Sequence, residues 1–181
     1  MAERTPRKLA AERLWEYALR LLGAQARSLA ELRSRLAERA ERPEDVPGIL
    51  ARLKQYGYLD DRRFAEGYSR ARLENQGFGR ERVLRDLRRR RVAPPLAQEA
   101  VRAVYRDTDE AGLVEQYLRR KYRSVPLEEY LAEPRHLAAA YRRLRGAGFS
   151  PASILRVLTR LGGDADRLAS AEETSEPETA L

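Results

Sequence analysis

Cysteine is absent from this 181-residue chain and histidine occurs once, at His136. Disulfides are therefore excluded, and so is any zinc site built on thiolates or paired imidazoles. A single histidine near a helix start reads as a surface or capping residue rather than as a catalytic base. Aromatic residues are sparse too, with three Phe and one Trp, which argues against one large globule and for small, repeated cores. No 18 apolar residues run together, so no membrane-spanning helix is expected. The opening MAERTPRKLAAERL lacks an apolar run of signal-peptide length, and a cytoplasmic protein is the expectation. Gly77-Phe78-Gly79 lacks the third glycine of a dinucleotide fingerprint, and no glycine run leads into a phosphate-loop Lys-Ser or Lys-Thr. Asp60 and Asp61 are adjacent, so their side chains diverge, and helix capping suits them better than a magnesium site. No catalytic residue, cofactor or metal is expected, and the chain does not read as an enzyme.

What the chain does have is charge and helical periodicity. Its formal net charge of +8 and pI near 10.1 call for an anionic partner, either nucleic acid or the acidic surface of another protein. No stretch alternates with period two, so the fold class is all-α. Leu14, Trp15, Ala18, Leu21 and Leu22 share one face of a first helix. Ser28 with Glu31 has capping-box spacing ahead of Leu29, Leu32 and Leu36, which predicts a second. Val46, Ile49, Leu50 and Leu53 form a third, stopped at Gly57. After Asp60 and Asp61, a helix carrying Phe64, Tyr68 and Leu73 is followed by the glycine hinge at 77–79. A basic helix with Val83, Leu84 and Leu87 comes next, then one entered through Pro94-Pro95.

These triplets repeat. A shift of 51 positions carries Tyr17 onto Tyr68, Leu32 onto Val83, Leu36 onto Leu87 and Leu50 onto Val101. A shift of 57 carries Val83 to Ala140, Leu87 to Leu144 and Val92 to Phe149, whereas Tyr68 reaches Tyr117 at 49. The difference marks an eight-residue insertion around 125–131, expected as a loop or short extra turn. Three tandem three-helix repeats follow, at 1–57, 58–107 and 108–163, forming an elongated, curved right-handed or solenoid-like molecule. The tyrosines at 17, 68 and 117 hold equivalent positions, which favours a packing role. Residues 164–181 are acidic and poor in large apolar side chains, and are expected to be disordered.

The candidate functional residues are basic. Between Gly79 and Arg91 seven arginines stand against Glu81 and Asp86, so this helix carries net +5. A second cluster is Arg119, Arg120, Lys121 and Arg123, and a third is Arg142, Arg143 and Arg145. Each is expected opposite its helix's apolar stripe, facing outward. Guanidinium forks suit phosphates and carboxylates alike, so charge alone leaves the partner open.

The run GYLDDRRFAEGYSRAR, followed by a glycine hinge and a basic helix, resembles the central signature of the RecX family of bacterial recombination regulators. The resemblance extends from about Trp15 to Leu161, and its signature residues here are Gly57, Tyr58, Leu59, Asp60, Asp61, Phe64 and Tyr68. It implies a non-enzymatic, monomeric regulator, tied to homologous recombination, DNA repair and the SOS response, that binds the RecA recombinase filament on single-stranded DNA. There it would lie along the helical groove and limit ATP hydrolysis, strand exchange and extension. By match to the signature, the contact surface would be Arg80, Arg82, Arg85, Arg88, Arg89, Arg90 and Arg91, extended by Arg119, Arg120, Lys121 and Arg123. Replacing Arg88 to Arg91 with alanine would then weaken binding without changing melting. Tyr58, Leu59, Phe64 and Leu87 would be core. Arg91 stands where the family often has glycine before the apolar residue, which implies a longer or differently capped helix end. The rival reading is a non-specific DNA-binding helical-repeat protein, with the helix at 80–91 in a groove.

Overall fold

The computed structural model describes residues 8–164, and the acidic stretch expected to be disordered lies outside them from residue 165 on. The described residues form ten α-helices and no strand beyond an isolated bridge between Leu9 and Ala40. In order they are α1 (Ala11–Ala24), α2 (Leu29–Arg39), α3 (Asp45–Gln55), α4 (Asp61–Ala71), α5 (Arg80–Arg89), α6 (Pro94–Val104), α7 (Glu110–Lys121), α8 (Leu127–Ala132), α9 (Pro134–Ala147) and α10 (Pro151–Arg160). A π-helical turn over Arg72–Gln76 extends α4. The all-α class and the helical repetition are as the periodicity implied. The chain divides into two compact units, one drawing its described residues from Met1–Tyr68 and Asp86–Ala103, the other from Ser69–Arg85 and Val104–Leu181.

In the first unit, α1, α2 and α3 close on Leu14, Ala18, Leu32, Leu36, Ile49, Leu50 and Leu53, joined by Leu59. The capping box is formed, since Ser28 Oγ accepts from Glu31 N–H and the Glu31 carboxylate accepts from Ser28 N–H. Gly57 ends α3 with φ +72, while Tyr58 N–H reaches back to the Leu53 carbonyl at 3.0 Å. That reversal corrects one expectation. Tyr58 is not core but 59% exposed, because the left-handed turn faces its ring outward and leaves Leu59, not Tyr58, to fill the apolar interior. Leu59, Phe64 and Leu87 are buried as expected. Asp60 caps α4, accepting from the N–H groups of Arg62 and Arg63 at 2.8 and 3.1 Å. Asp61 instead accepts from Leu29 N–H at 2.7 Å, so its carboxylate serves the start of α2.

The repetition reaches individual side chains. Arg39 lies 5.3 Å from the Tyr17 ring centroid and Arg90 lies 5.3 Å from that of Tyr68, the same pairing 51 positions apart. Both tyrosines are half-buried, as packing residues are. The end of α5 is capped like a glycine-terminated helix although no glycine is there. Arg91 takes φ +57, Arg91 N–H donates to the Arg88 carbonyl and Val92 N–H to the Leu87 carbonyl. A non-glycine residue in that region costs about 1–2 kcal/mol. The helix is therefore not lengthened.

In the second unit, α7, α9 and α10 enclose Val114, Leu118, Ala140, Tyr141, Leu144, Phe149, Ile154, Val157 and Leu158. The insertion expected as a loop or short turn is the six-residue α8, anchored by buried Leu127 and Leu131. Tyr130 of α8 stacks on His136 with centroids 4.0 Å apart and planes 4° from parallel.

The glycines at 77–79 are a fixed contact, not a free hinge. Gly79 N–H donates to the Ala147 carbonyl at 2.9 Å and Glu81 N–H to the Gly148 carbonyl at 3.2 Å. A Cβ on Gly79 would lie 2.1 Å from the Gly148 oxygen. Tyr105, fully buried, locks the same region through O–H donation to the Phe78 carbonyl at 2.7 Å.

Candidate partner-binding surface

The arginines expected to face a partner fall into two kinds. In the first unit, Arg90 is turned inward. Its Nε and Nη2 donate to the two carboxylate oxygens of Glu31 at 2.8 and 2.9 Å, and Nη2 also reaches the Ala26 carbonyl at 3.0 Å. The guanidinium covers the Phe64 ring at 4.5 Å, and the buried Ser28 hydroxyl donates to the Arg90 carbonyl at 2.6 Å. Arg91 donates to Ser34 Oγ at 2.9 Å. Arg89 pairs with Asp86, a buried carboxylate that also accepts from Tyr68 O–H. Arg88 alone of the four is exposed with no intrachain partner among the described residues.

In the second unit, Arg80 donates to the Tyr105 carbonyl at 2.7 Å. Arg82 and Arg85 both donate to the Gly146 carbonyl, at 3.3 and 3.1 Å. These bonds satisfy carbonyls that helix ends leave open. Arg119 pairs with Glu115 at 2.8 Å, and Arg120 donates to the Gln76 carbonyl. Lys121 and Arg123 are exposed and have no partner among the described residues, and the same is true of Arg142. Arg143 lies 5.8 Å from the Tyr122 ring centroid, and Arg145 donates to the Phe149 carbonyl at 2.9 Å. Within the expected clusters the free cations are thus fewer than the composition suggested: Arg88 on one unit, and Lys121, Arg123 and Arg142 on the other, among the described residues. Side chains that only face solvent are worth little to folding and remain available to a partner.

Each unit has a part-buried carboxylate bonded within it, Glu31 in the first and Glu110 in the second. Burial pushes the Glu31 carboxyl up, but its bonds from Arg90 and Ser28 and the charges of Arg90 and Arg27 outweigh that and hold it below its ordinary 4.5. Burial likewise opposes ionisation of Glu110. The Ser150 hydroxyl and N–H, the Ser153 hydroxyl and the Arg80 charge overcome it, again to a value below 4.5. A carboxyl whose pKa is lower folded than unfolded stabilises fully above the unfolded value. That stability is lost as pH falls through the folded one. Resistance to urea should therefore fall as pH drops below 4.5. Glu110→Gln should be less stable near neutrality and converge on the parent in acid. Parallel pH curves for the two proteins would remove Glu110 from this account.

Sequence reasoning missed three residues gathered near the signature turn. Tyr56 is 57% exposed with its ring 6.4 Å from that of Tyr58, and Arg27 and Arg63 line the same cleft as Tyr58. The visible signal was two tyrosines flanking a helix-ending glycine, where an αL turn turns both outward. Among the described residues no three His, Cys, Asp or Glu side chains converge as metal ligands. None of the described helices is long and apolar enough to cross a membrane.

Comparison with known proteins falls on the same segments. The family described as "RecX, second three-helix domain" matches residues 60–101. The regulatory protein RecX of Deinococcus radiodurans is 37% identical over 139 residues, covering 77% of this chain and 64% of that protein, less than two thirds of its length. The regulatory protein RecX of a Mycobacterium species is 33% identical over 164 residues, covering 86% of each. In fold, the crystal structure of RecX from Lactobacillus salivarius superposes with a TM-score of 0.65 at 19% identity, over 84% of this chain and 96% of that one. With the signature at 57–68, the matched second three-helix segment and a relative aligned over most of both chains, this chain belongs to the RecX family of regulatory proteins.

Proposed function

We propose that this chain binds the RecA filament on single-stranded DNA and restrains its ATP hydrolysis, strand exchange and extension, without chemistry of its own. Membership of the RecX family carries the reading. The three-helix segments at 1–57, 58–107 and 108–163 would act as successive contact units of a cytoplasmic monomer, with 164–181 as an acidic tail. Each contact can be weak, because linkage raises the effective concentration of the next. Of the basic clusters, Arg88, Lys121, Arg123 and Arg142 are free among the described residues to meet a partner's anionic surface. Binding should weaken as salt rises.

A second reading, direct non-specific DNA binding, draws on the same free cations, since phosphate contact needs charge and not base discrimination. The engagement of Arg80, Arg82 and Arg85 with backbone carbonyls weighs against α5 as a groove-reading helix. The deciding measurement is ATP hydrolysis by the cognate RecA on single-stranded DNA, at two salt concentrations and with this protein below and above equimolar. Inhibition well below one equivalent is expected, with reversal of charge at Arg88, Lys121 and Arg123 relieving it. Unchanged hydrolysis together with tight binding to bare DNA would replace the filament reading with the second.

A further inference from the structure

The signature turn builds a cleft that the basic clusters do not use. It lies within the first unit, has a volume of about 290 Å³, and is lined by Leu22, Ala26, Arg27, Gly57, Tyr58, Asp60, Arg63 and Phe64. That is the low end of ligand-sized pockets. Among the described residues the exposed large apolar side chains are Tyr56, Tyr58 and Val125, and of these Tyr58 lines the cleft while the Tyr56 ring lies 6.4 Å from that of Tyr58. Behind Tyr56, the Trp15 ring meets it edge-on at 6.1 Å.

The polar groups are cationic and underused. Arg63 is exposed and makes no side-chain hydrogen bond or ion pair among the described residues. Arg27 Nε is buried without an acceptor. Arg27 sits close enough to Glu31 to favour its charge, but the carboxylate's hydrogen bonds come from Arg90 and Ser28. The one acid of the lining, Asp60, already accepts two backbone N–H bonds through Oδ1 as the cap of α4. A buried donor without an acceptor is costly, and Arg27 and Arg63 both line the cleft.

We infer that this cleft holds one nucleotide of a single strand, its phosphate between Arg27 and Arg63 and its base on the Tyr58 face, with Tyr56 placed for the next base. Tyr56 is backed by Trp15 and by Arg52, 5.6 Å from its ring centroid, while Tyr58 is the more exposed of the two, and guanidinium groups beside exposed aromatic rings are what single-strand binding sites use. An acidic peptide would satisfy the arginines but leave the exposed Tyr58 ring without a stacking partner. The inference deepens the proposed function and rests on it only for the class of partner, since the contact is testable without the recombinase.

The test is fluorescence anisotropy of the full chain with a labelled oligothymidylate of about 20 nucleotides, and with an abasic strand of equal length. Tyr58→Ala should weaken binding to the base-bearing strand by about tenfold or more and leave the abasic strand unaffected. Tyr58→Phe should bind like the parent. Arg63→Gln should weaken both strands and lower the slope of log affinity against log salt by about one. Equal affinities for Tyr58→Ala and the parent, or equal losses on both strands, would overturn the assignment. Tyr58-dependent capture of an oligoglutamate peptide in place of DNA would overturn it as well. Should Tyr58→Ala lose helicity, Arg63→Gln carries the test, and unchanged binding by it is refutation. Unchanged strand binding by Tyr58→Ala and Arg63→Gln, with recombinase inhibition intact in the parent, would leave the proposed function standing and remove only the cleft.

Discussion

Gly148→Ala should cost about 3–5 kcal/mol, the largest effect expected of any single methyl group in this chain. Gly148 ends α9 with φ +90, where a side chain is strained by about 1–2 kcal/mol. Its added Cβ would lie 2.2 Å from the Arg82 nitrogen and 2.5 Å from the Arg82 Cβ. Neither atom can step aside, because each belongs to the first turn of α5 or is fixed directly to it. Relief requires α5 to move, and movement breaks the bonds from Gly79 N–H to Ala147 and from Glu81 N–H to Gly148. Each such bond is worth about 1 kcal/mol. Gly79→Ala meets the same backbone from the other side, without the φ penalty, and should cost about 2–4 kcal/mol. The control is Gly146→Ala, two residues before Gly148, where a Cβ meets nothing within 4 Å. Removing glycine from that helical position should raise stability by up to about 1 kcal/mol. Thermal unfolding separates the cases by roughly 10 °C or more for a chain of this size. A Gly148→Ala protein that melts with Gly146→Ala would show that the close approach does not constrain the fold.

That contact explains why the segment read as a hinge. In sequence, Gly77-Phe78-Gly79 interrupts an apolar stripe, and nothing local states what fills the space beside the second glycine. Its partner, Gly148, lies 69 positions on. Features set by near neighbours were legible. Ser28 and Glu31 form the capping box their spacing predicts, Asp60 caps α4, and Gly57 takes the left-handed turn that ends α3. Asp61 differs from Asp60 only in its target, Leu29 N–H, 32 positions back, and no local rule names that. Tyr58 was misplaced for a related reason. An aromatic residue beside leucine reads as core until the φ of Gly57 decides which of the two turns inward.

The arginine run shows the same limit at the candidate site. Arg88, Arg89, Arg90 and Arg91 are one composition but four environments, because successive residues leave a helix about 100° apart. Opposite-sign partners fix two of them: Asp86 for Arg89, one turn away, and Glu31 for Arg90, 59 positions away. Helix periodicity could place the first pair. The second needed the fold, because it joins the end of α5 to α2 across 59 positions of sequence.

Arg90→Ala should accordingly cost about 2–3 kcal/mol, whereas Arg88→Ala should stay within about 0.5 kcal/mol of the parent. The Arg90 and Glu31 side chains keep 19% and 26% of their surface exposed, so their pair sits between the surface case and the buried one. Surface pairs contribute about 0–1 kcal/mol, and breaking a buried one costs about 3–5. Truncation also uncovers the faces of Phe64 and Tyr68 that the guanidinium now lies over and leaves the Ala26 carbonyl without this donor. Melting should fall by roughly 5–10 °C for Arg90→Ala. Arg90→Lys should recover less than half of that, because an ammonium cannot make the two-pronged contact to Glu31. Against the expectation that alanine at all four positions spares the fold, the Arg90–Glu31 contact predicts that a block variant should lose stability through Arg90 before any partner is added. Weakened binding by it would not distinguish a lost contact from a loosened unit, whereas Arg88→Glu against Arg90→Ala does. A parent-like melting curve for Arg90→Ala would mean the pair with Glu31 adds nothing to folding, and would return Arg90 to the side chains free for a partner.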